Sequence, residues 1–334
     1  YKRQAQVILS LDWDGLGLED DGTRHQRAWS RGRGGEPGQP MNRLYVVEPH
    51  WTVTGMAADH RLRLKGSQVR DYVLALAATL DPGPFTELAP TLEHIEPQWV
   101  VEVARELKAA KGRCVVVAGR RQPPDVHALV RHLNNLLGSQ VRYTRASNRA
   151  GNLFDLMSHP GHVKTLIILD ANPVLDAPAD LRLESLMRSA ETRIHMGLYY
   201  DETAAECHWH LPAAHPLERW GDALSGTTLS PVQPLVEPLL NGRSPLELLA
   251  RVAGYRTTDP YEIVRDSFRG LTGSQKLEAR WQRYLHEGAA EVSVERVDAP
   301  VYSLSEVVAG CKAALSKAER GEYELCFSAD ASVY

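Results

Sequence analysis

Cys114-Val115-Val116-Val117-Ala118-Gly119 is an unbroken apolar run closed by a glycine. Such a run reads as a parallel strand buried on both faces. Residues 97–111 precede it as a helix, with Pro97 in the first turn and Val100, Val103, Ala104 and Leu107 on one side. Residues 125–137 follow as a second helix that stops at Gly138, the residue type suited to a left-handed C-terminal cap. Strand, helix and strand at this spacing, with further strands on either side, make βαβ units and hence a parallel sheet with right-handed crossovers.

The same pattern extends in both directions. Val7-Ile8-Leu9-Ser10-Leu11 ends in Asp12, with Gly15 and Gly17 beyond, as a strand entering a turn does. Residues 44–48 form another strand, stopped by Pro49, and residues 67–80 a helix capped by Ser67. Later strands are expected at 141–144, 166–169, 192–198 and 209–211, with helices at 151–158 and 179–190. The expected fold class is therefore α/β, with tandem parallel-sheet domains. A first unit spans 1–92 and includes a mobile loop at 19–43, and a second spans 93–230. Residues 231–334 are a mainly helical return segment. It has helices at 244–254, 259–271 and 275–286, an extended stretch at 292–302, and a strand-like one at 323–327. The chain is expected to continue past Tyr334, because its last residues carry no capping or tail composition.

Composition narrows the function. The 334 residues are 43% apolar and 24% charged, which is ordinary for globular proteins, and the net charge of −4 gives no field for gripping nucleic acid. Arg31-Gly32-Arg33-Gly34-Gly35 is a single RGG-like copy and reads as a solvated loop. No apolar run reaches the ~20 residues of a membrane helix, and the N-terminal residues have no signal-peptide pattern. Four scattered cysteines without a CxxC offer no local cluster or zinc site, and Cys311 and Cys326 could bond only if the fold joined them.

Ligands of parallel sheets bind beyond the carboxyl ends of strands. Four such ends are visible: Ser10 to Gly17, Glu48 to Thr54, Gly119 to Pro124, and Asp170-Ala171-Asn172-Pro173. None is a GxGxxG or a P-loop, and the prolines at 123 and 124 remove N–H groups that a phosphate cradle needs. His208, His210 and Glu218 form the one spacing that suggests a metal, since alternate strand residues share a face. The alternative for these histidines is a set of hydrogen-bonded surface groups on a short strand between prolines. No GxSxG elbow supports a hydrolase.

Several segments together carry a resemblance. They are Val7 to Asp12, Met41 to Pro49, Ala57 to Leu62, Val117 to Gly119, Gln122 to Leu129, Asp201 to Ala204 and Cys207 to Pro212. In combination they resemble the molybdopterin-oxidoreductase-like half of the iron–sulfur subunit of bacterial alternative complex III, a membrane assembly that oxidises quinols. More distantly, the Asn172-Pro173 turn and the stretch Leu211-Pro212 with Glu218 to Gly221 resemble the dimethyl-sulfoxide-reductase superfamily. There, paired α/β domains hold a molybdenum guanine-dinucleotide pterin. Where that superfamily has a Gly-x-Asn loop after a strand, this chain has Ser10-Leu11-Asp12-Trp13-Asp14, whose two carboxylates repel a pyrophosphate and whose indole crowds it.

The resemblance implies a cofactor-free part of a quinol:electron acceptor oxidoreductase that supports electron transfer and assembly. Asp12, Asn172 and Pro173 are then relics of a pterin loop, and no catalytic residue is expected. Iron–sulfur clusters belong to a C-terminal half beyond this sequence. The implied partners are that half and the haem and quinol-binding membrane subunits, at the periplasmic face of the membrane after twin-arginine export. Docking predicts exposed apolar patches, with Trp209, Trp220 and Trp281 as candidates. The alternative is a catalytic molybdopterin-dependent oxidoreductase whose cofactor is held near Asn172-Pro173.

Overall fold

The computed structural model describes residues 5–19, 22–34, 41–89, 96–141, 143–144, 152–181, 183–293, 296–298, 301–316 and 323–327. The chain divides into two compact units. Unit 1 takes residues 1–143 together with 296–334, and unit 2 takes 144–295. The expected cuts after residues 92 and 230 do not match this division, and the strand pairing below gives the reason.

Unit 1 is built on a four-stranded parallel sheet in the order β3-β2-β1-β4. Its strands are β1 (Val7–Leu11), β2 (Arg43–Glu48), β3 (His60–Arg63) and β4 (Cys114–Ala118). β1 pairs with both β2 and β4, with Leu9 opposite Tyr45 on one side and Val116 on the other. The strand expected to found a second domain thus completes the first sheet.

Strand alternation sorts β1 between two faces. Val7, Leu9 and Leu11 join the larger core, and Ile8 joins a smaller one on the opposite face with Leu16, Leu44 and Val46. The larger core is filled by the helices Gly66–Leu80, Pro97–Ala109, Pro124–Leu136 and Leu304–Ser316. The helix at 66 begins one residue before the expected Ser67 cap. Ser67 lies inside it, where its amide and hydroxyl meet the Glu324 carboxylate.

β4 is an edge strand, so Val115, Val117 and Ala118 are only half-buried, contrary to the reading of its apolar run. Asn134 lies in the helix Pro124–Leu136, and its buried side chain pairs with that strand. It donates to the Val116 carbonyl at 2.8 Å and accepts the Val116 amide at 3.0 Å. The amide group replaces a missing neighbouring strand.

Residues 22–31 of the expected loop form a helix, Gly22–Arg31. Its buried contribution is Ala28, with Trp29 partly covered against the smaller core. A helix that buries so little leaves no apolar period to read. Arg33 of the RGG-like stretch is held by both oxygens of Asp59, at 2.8 and 2.7 Å. The rest of 19–43 that falls at 20–21 and 35–40 lies outside the described residues.

Unit 2 begins within the two-residue β5 (Tyr143–Thr144). It carries a three-stranded parallel sheet of β6 (Thr165–Leu169), β7 (Thr192–Gly197) and β8 (Trp209–Pro212), in the order β6-β7-β8. A hairpin of β9 (Gly221–Ser225) and β10 (Thr228–Val232), with β11 (Ala290–Glu291), forms a second, antiparallel sheet. The helices Pro245–Val252, Pro260–Thr272 and Leu277–Glu287 match expectation, and Ser244 with Glu247 forms the capping box of the first.

Trp281 is 0% exposed and centres an aromatic core with Phe268 and Tyr284, while Trp220 is half-covered against Tyr261. Trp281 is therefore a core residue and not a docking one, and Trp209 alone of the three is exposed, at 64%. Residues 323–327 form no strand, and all four cysteines are free. No described helix is long and apolar enough to cross a membrane.

Candidate functional site

The carboxyl ends of β1 and β4 lie side by side at the point where the sheet order reverses, which is where a parallel sheet offers its crevice. Asp12 leaves β1 in the left-handed conformation, with φ 53°. Its side chain is almost fully buried. Oδ1 pairs with Arg121 Nη2 at 2.5 Å, and Oδ2 accepts from Gln122 Nε2 at 3.0 Å. Both partners come from the turn after β4, so the two strand ends are tied across the crevice. Gly119 makes the approach possible, because any Cβ there would collide with the Asp12 carbonyl oxygen.

Asp14 closes the next part of the bend. Its Oδ1 accepts the amide and the hydroxyl of Thr54, at 3.0 and 2.8 Å, and its Oδ2 accepts the Leu18 amide at 3.0 Å. Thr54 Oγ1 in turn accepts the Leu16 amide at 2.9 Å. Trp13 folds over Gly15 and meets His25 at a ring separation of 5.3 Å.

Unit 2 repeats this latch. Asp170 leaves β6 with φ 47°. Two residues on, Asn172 Oδ1 accepts the amide and hydroxyl of Thr203, at 3.2 and 2.7 Å. Thr203 Oγ1 accepts the Val174 amide at 3.1 Å, as Thr54 does that of Leu16. Thr54 and Thr203 both sit in a four-residue helix after the second strand of their sheet. Asn172 also donates to Glu202 Oε2 at 2.7 Å, and Asp170 pairs with Arg219 at 3.0 Å. Pro173 opens the helix Pro173–Asp176.

A guanine-dinucleotide pyrophosphate does not fit the residues at the β1 bend. A phosphate site presents N–H groups to the ligand. Here the carboxylate of Asp14 already takes the amides of Leu18 and Thr54, and Asp12 takes the Arg121 cation. Gln122 adds a buried carbonyl oxygen without a partner, a further acceptor where an anion needs donors. In unit 2, Asn172 turns its amide back into the latch, so its described contacts are structural.

The three candidate metal ligands do not converge. His208 precedes β8 and accepts the Arg193 amide at 3.1 Å. His210 faces His195 on β7 at 3.0 Å. Glu218 caps the turn Pro216–Glu218, accepting the His215 amide at 3.0 Å. Among the described residues no group of three or more possible ligands forms. Sequence reasoning missed Arg121, Gln122, Thr54, Thr203 and His195. The side chains of the turn after β4 belong to no local motif, because their partner Asp12 lies more than 100 residues away.

The fold is α/β, with a parallel sheet in each unit. Among solved structures the chain is similar to acetylene hydratase from Pelobacter acetylenicus, with a TM-score of 0.62 and 14% sequence identity. The match covers 88% of this chain and 53% of that one, so the chain spans about half the length of this neighbour. No family model matches the sequence, and no curated protein does.

Proposed function

We propose that the chain is the molybdopterin-oxidoreductase-like part of the iron–sulfur subunit of an alternative-complex-III type quinol:electron acceptor oxidoreductase. In this role it holds no molybdenum cofactor and performs no catalysis. It supports assembly of the electron-transfer chain at the periplasmic face, next to the cluster-bearing half and the haem and quinol-binding subunits. The observation that supports this reading is a molybdopterin-oxidoreductase fold whose strand-end crevice is tied shut by Asp12, Arg121 and Gln122. A pocket that had to admit a dinucleotide gains nothing from a buried ion pair across its mouth.

The test is metal analysis of the full-length protein purified from its native membrane. The reading expects iron and haem to co-purify with the chain and molybdenum and tungsten to stay far below one per chain. One molybdenum or tungsten per chain overturns it in favour of a working molybdopterin enzyme.

A further inference from the structure

His195 lies in β7 and is 1% exposed, and His210 sits opposite it on β8. Their rings meet head to head. The Nδ1 atoms are 3.0 Å apart, with ring centroids 5.2 Å apart and planes inclined by 25°. At that distance the two nitrogens share one hydrogen, because two lone pairs or two N–H groups would repel. The far side of His195 decides whose hydrogen it is. Its Nε2 lies 3.3 Å from the Ala171 carbonyl oxygen and 3.8 Å from Asp201 Oδ2. A carbonyl only accepts, so Nε2 carries the hydrogen and Nδ1 of neutral His195 is a bare acceptor. His210 therefore donates through Nδ1, and its Nε2 is the ring nitrogen left to take up a proton.

The surroundings come from four elements. The loop after β6 supplies the Ala171 carbonyl, beside Asp170 in its pair with Arg219. The loop after β7 supplies Tyr200, whose ring meets His210 edge-on at 5.4 Å, and the cap of the next helix supplies Asp201. β7 supplies His195 itself.

We infer that His195 and His210 form a one-proton site at the carboxyl end of this sheet, which accepts a single proton at Nε2 of His210 and excludes a second. The singly charged pair keeps its Nδ1–H···Nδ1 bond. A second proton would set N–H against N–H at a side chain with no route to water. Burial and the neighbouring His195 hold the His210 imidazole below the ordinary histidine value, with Asp201 opposing them. The site is thus neutral at pH 7 and gains its charge in mild acid. Since the folded state binds this proton less readily than the unfolded chain, the stability it contributes is present above pH ~6.5 and lost as pH falls through the depressed value.

Counting protons taken up by the folded chain between pH 8 and 4.5, with nitrogen NMR of histidine-labelled protein, tests the site. His210→Gln should lower the uptake by one proton. His195→Gln should leave the number unchanged and raise the midpoint of His210. In the parent chain at pH 8 His195 should carry its hydrogen on Nε2. If His195→Gln fails to fold, the His210→Gln count and the parent spectrum decide. Two protons lost in one variant, independent titration of both rings, or a hydrogen on Nδ1 of His195 overturns the proposal.

Discussion

Asp14 receives two hydrogens from Thr54 on a single oxygen, the amide at 3.0 Å and the hydroxyl at 2.8 Å. In unit 2 the neutral oxygen of Asn172 does the same for Thr203. The Thr54 half of the latch therefore needs the oxygen of Asp14 and not its charge, whereas Oδ2, which accepts the Leu18 amide, has no acceptor counterpart in an Asn side chain.

Asp14→Asn keeps the Thr54 bonds but sets an amide donor against the Leu18 amide, so it is expected to cost about 1 kcal/mol, against about 2–3 kcal/mol for Asp14→Ala, which also loses both Thr54 bonds. Urea unfolding midpoints of the two variants measure the difference. Equal losses would show that the latch is read wrongly.

Arg121→Met leaves the Asp12 carboxylate buried with only Gln122 as partner. Breaking one side of a fully buried pair costs ~3–5 kcal/mol, and the partial exposure of Arg121 reduces the expected loss to about 2–3 kcal/mol. The double variant Asp12→Asn with Arg121→Met should recover part of it, because the uncompensated charge is gone. A denaturant-based double-mutant cycle reads the coupling.

Trp281 donates to the Tyr261 hydroxyl at 2.9 Å from within the aromatic core of unit 2. Trp281→Ala should cost about 3–5 kcal/mol, and Trp209→Ala within about 0.5 kcal/mol, as exposed sites do. Thermal unfolding should separate the two clearly. Any loss of partner binding should follow Trp209 and not Trp281.

Thiol chemistry offers a third reading of burial. Burial pushes the Cys311 thiol up to about 11, and Cys114 is raised for the same cause. In native protein at pH 8, a disulfide-exchange reagent should label exposed Cys326 quickly, Cys207 slowly, and Cys114 and Cys311 only after unfolding. The stability tied to the Cys311 proton is present below pH ~8.5, the ordinary cysteine value, and declines as pH rises through the folded one.

Acid should weaken unit 2 at a definite place. The Arg256 guanidinium, with Tyr255, holds the Asp266 carboxyl below the ordinary aspartate value. Its contribution is present above pH ~3.9 and lost as pH falls through the depressed value. Arg256→Gln should shift the acid-unfolding midpoint upward, as followed by circular dichroism.

The parallel strands were legible because apolar runs such as Val7 to Leu11 and Cys114 to Ala118 have no other stable use in a chain of this composition. The order of the strands was not. Nothing in the run at 114 states that it lies beside β1, so the boundary between units was misplaced. The hairpin of β9 and β10 had a readable turn, Ser225-Gly226-Thr227, with Gly226 at φ 58°. The helix Leu304–Ser316 also had a readable period, with Val307 and Cys311 on the buried side. Asp12 was singled out as an obstacle to phosphate, and its partners Arg121 and Gln122 are more than 100 residues away in sequence. Long-range pairing of this kind leaves no local pattern, and the latch residues Thr54 and Thr203 were hidden for the same reason.

Val307 and Cys311 pack into the core of unit 1, while residues 144–295 belong wholly to unit 2. During translation the ribosome must therefore release all of the inserted unit before the first can complete its interior. Until then the helix Pro124–Leu136 carries an uncovered apolar flank, which makes a holding chaperone useful for the roughly 8–30 s that synthesis of the insert takes at ~5–20 residues per second.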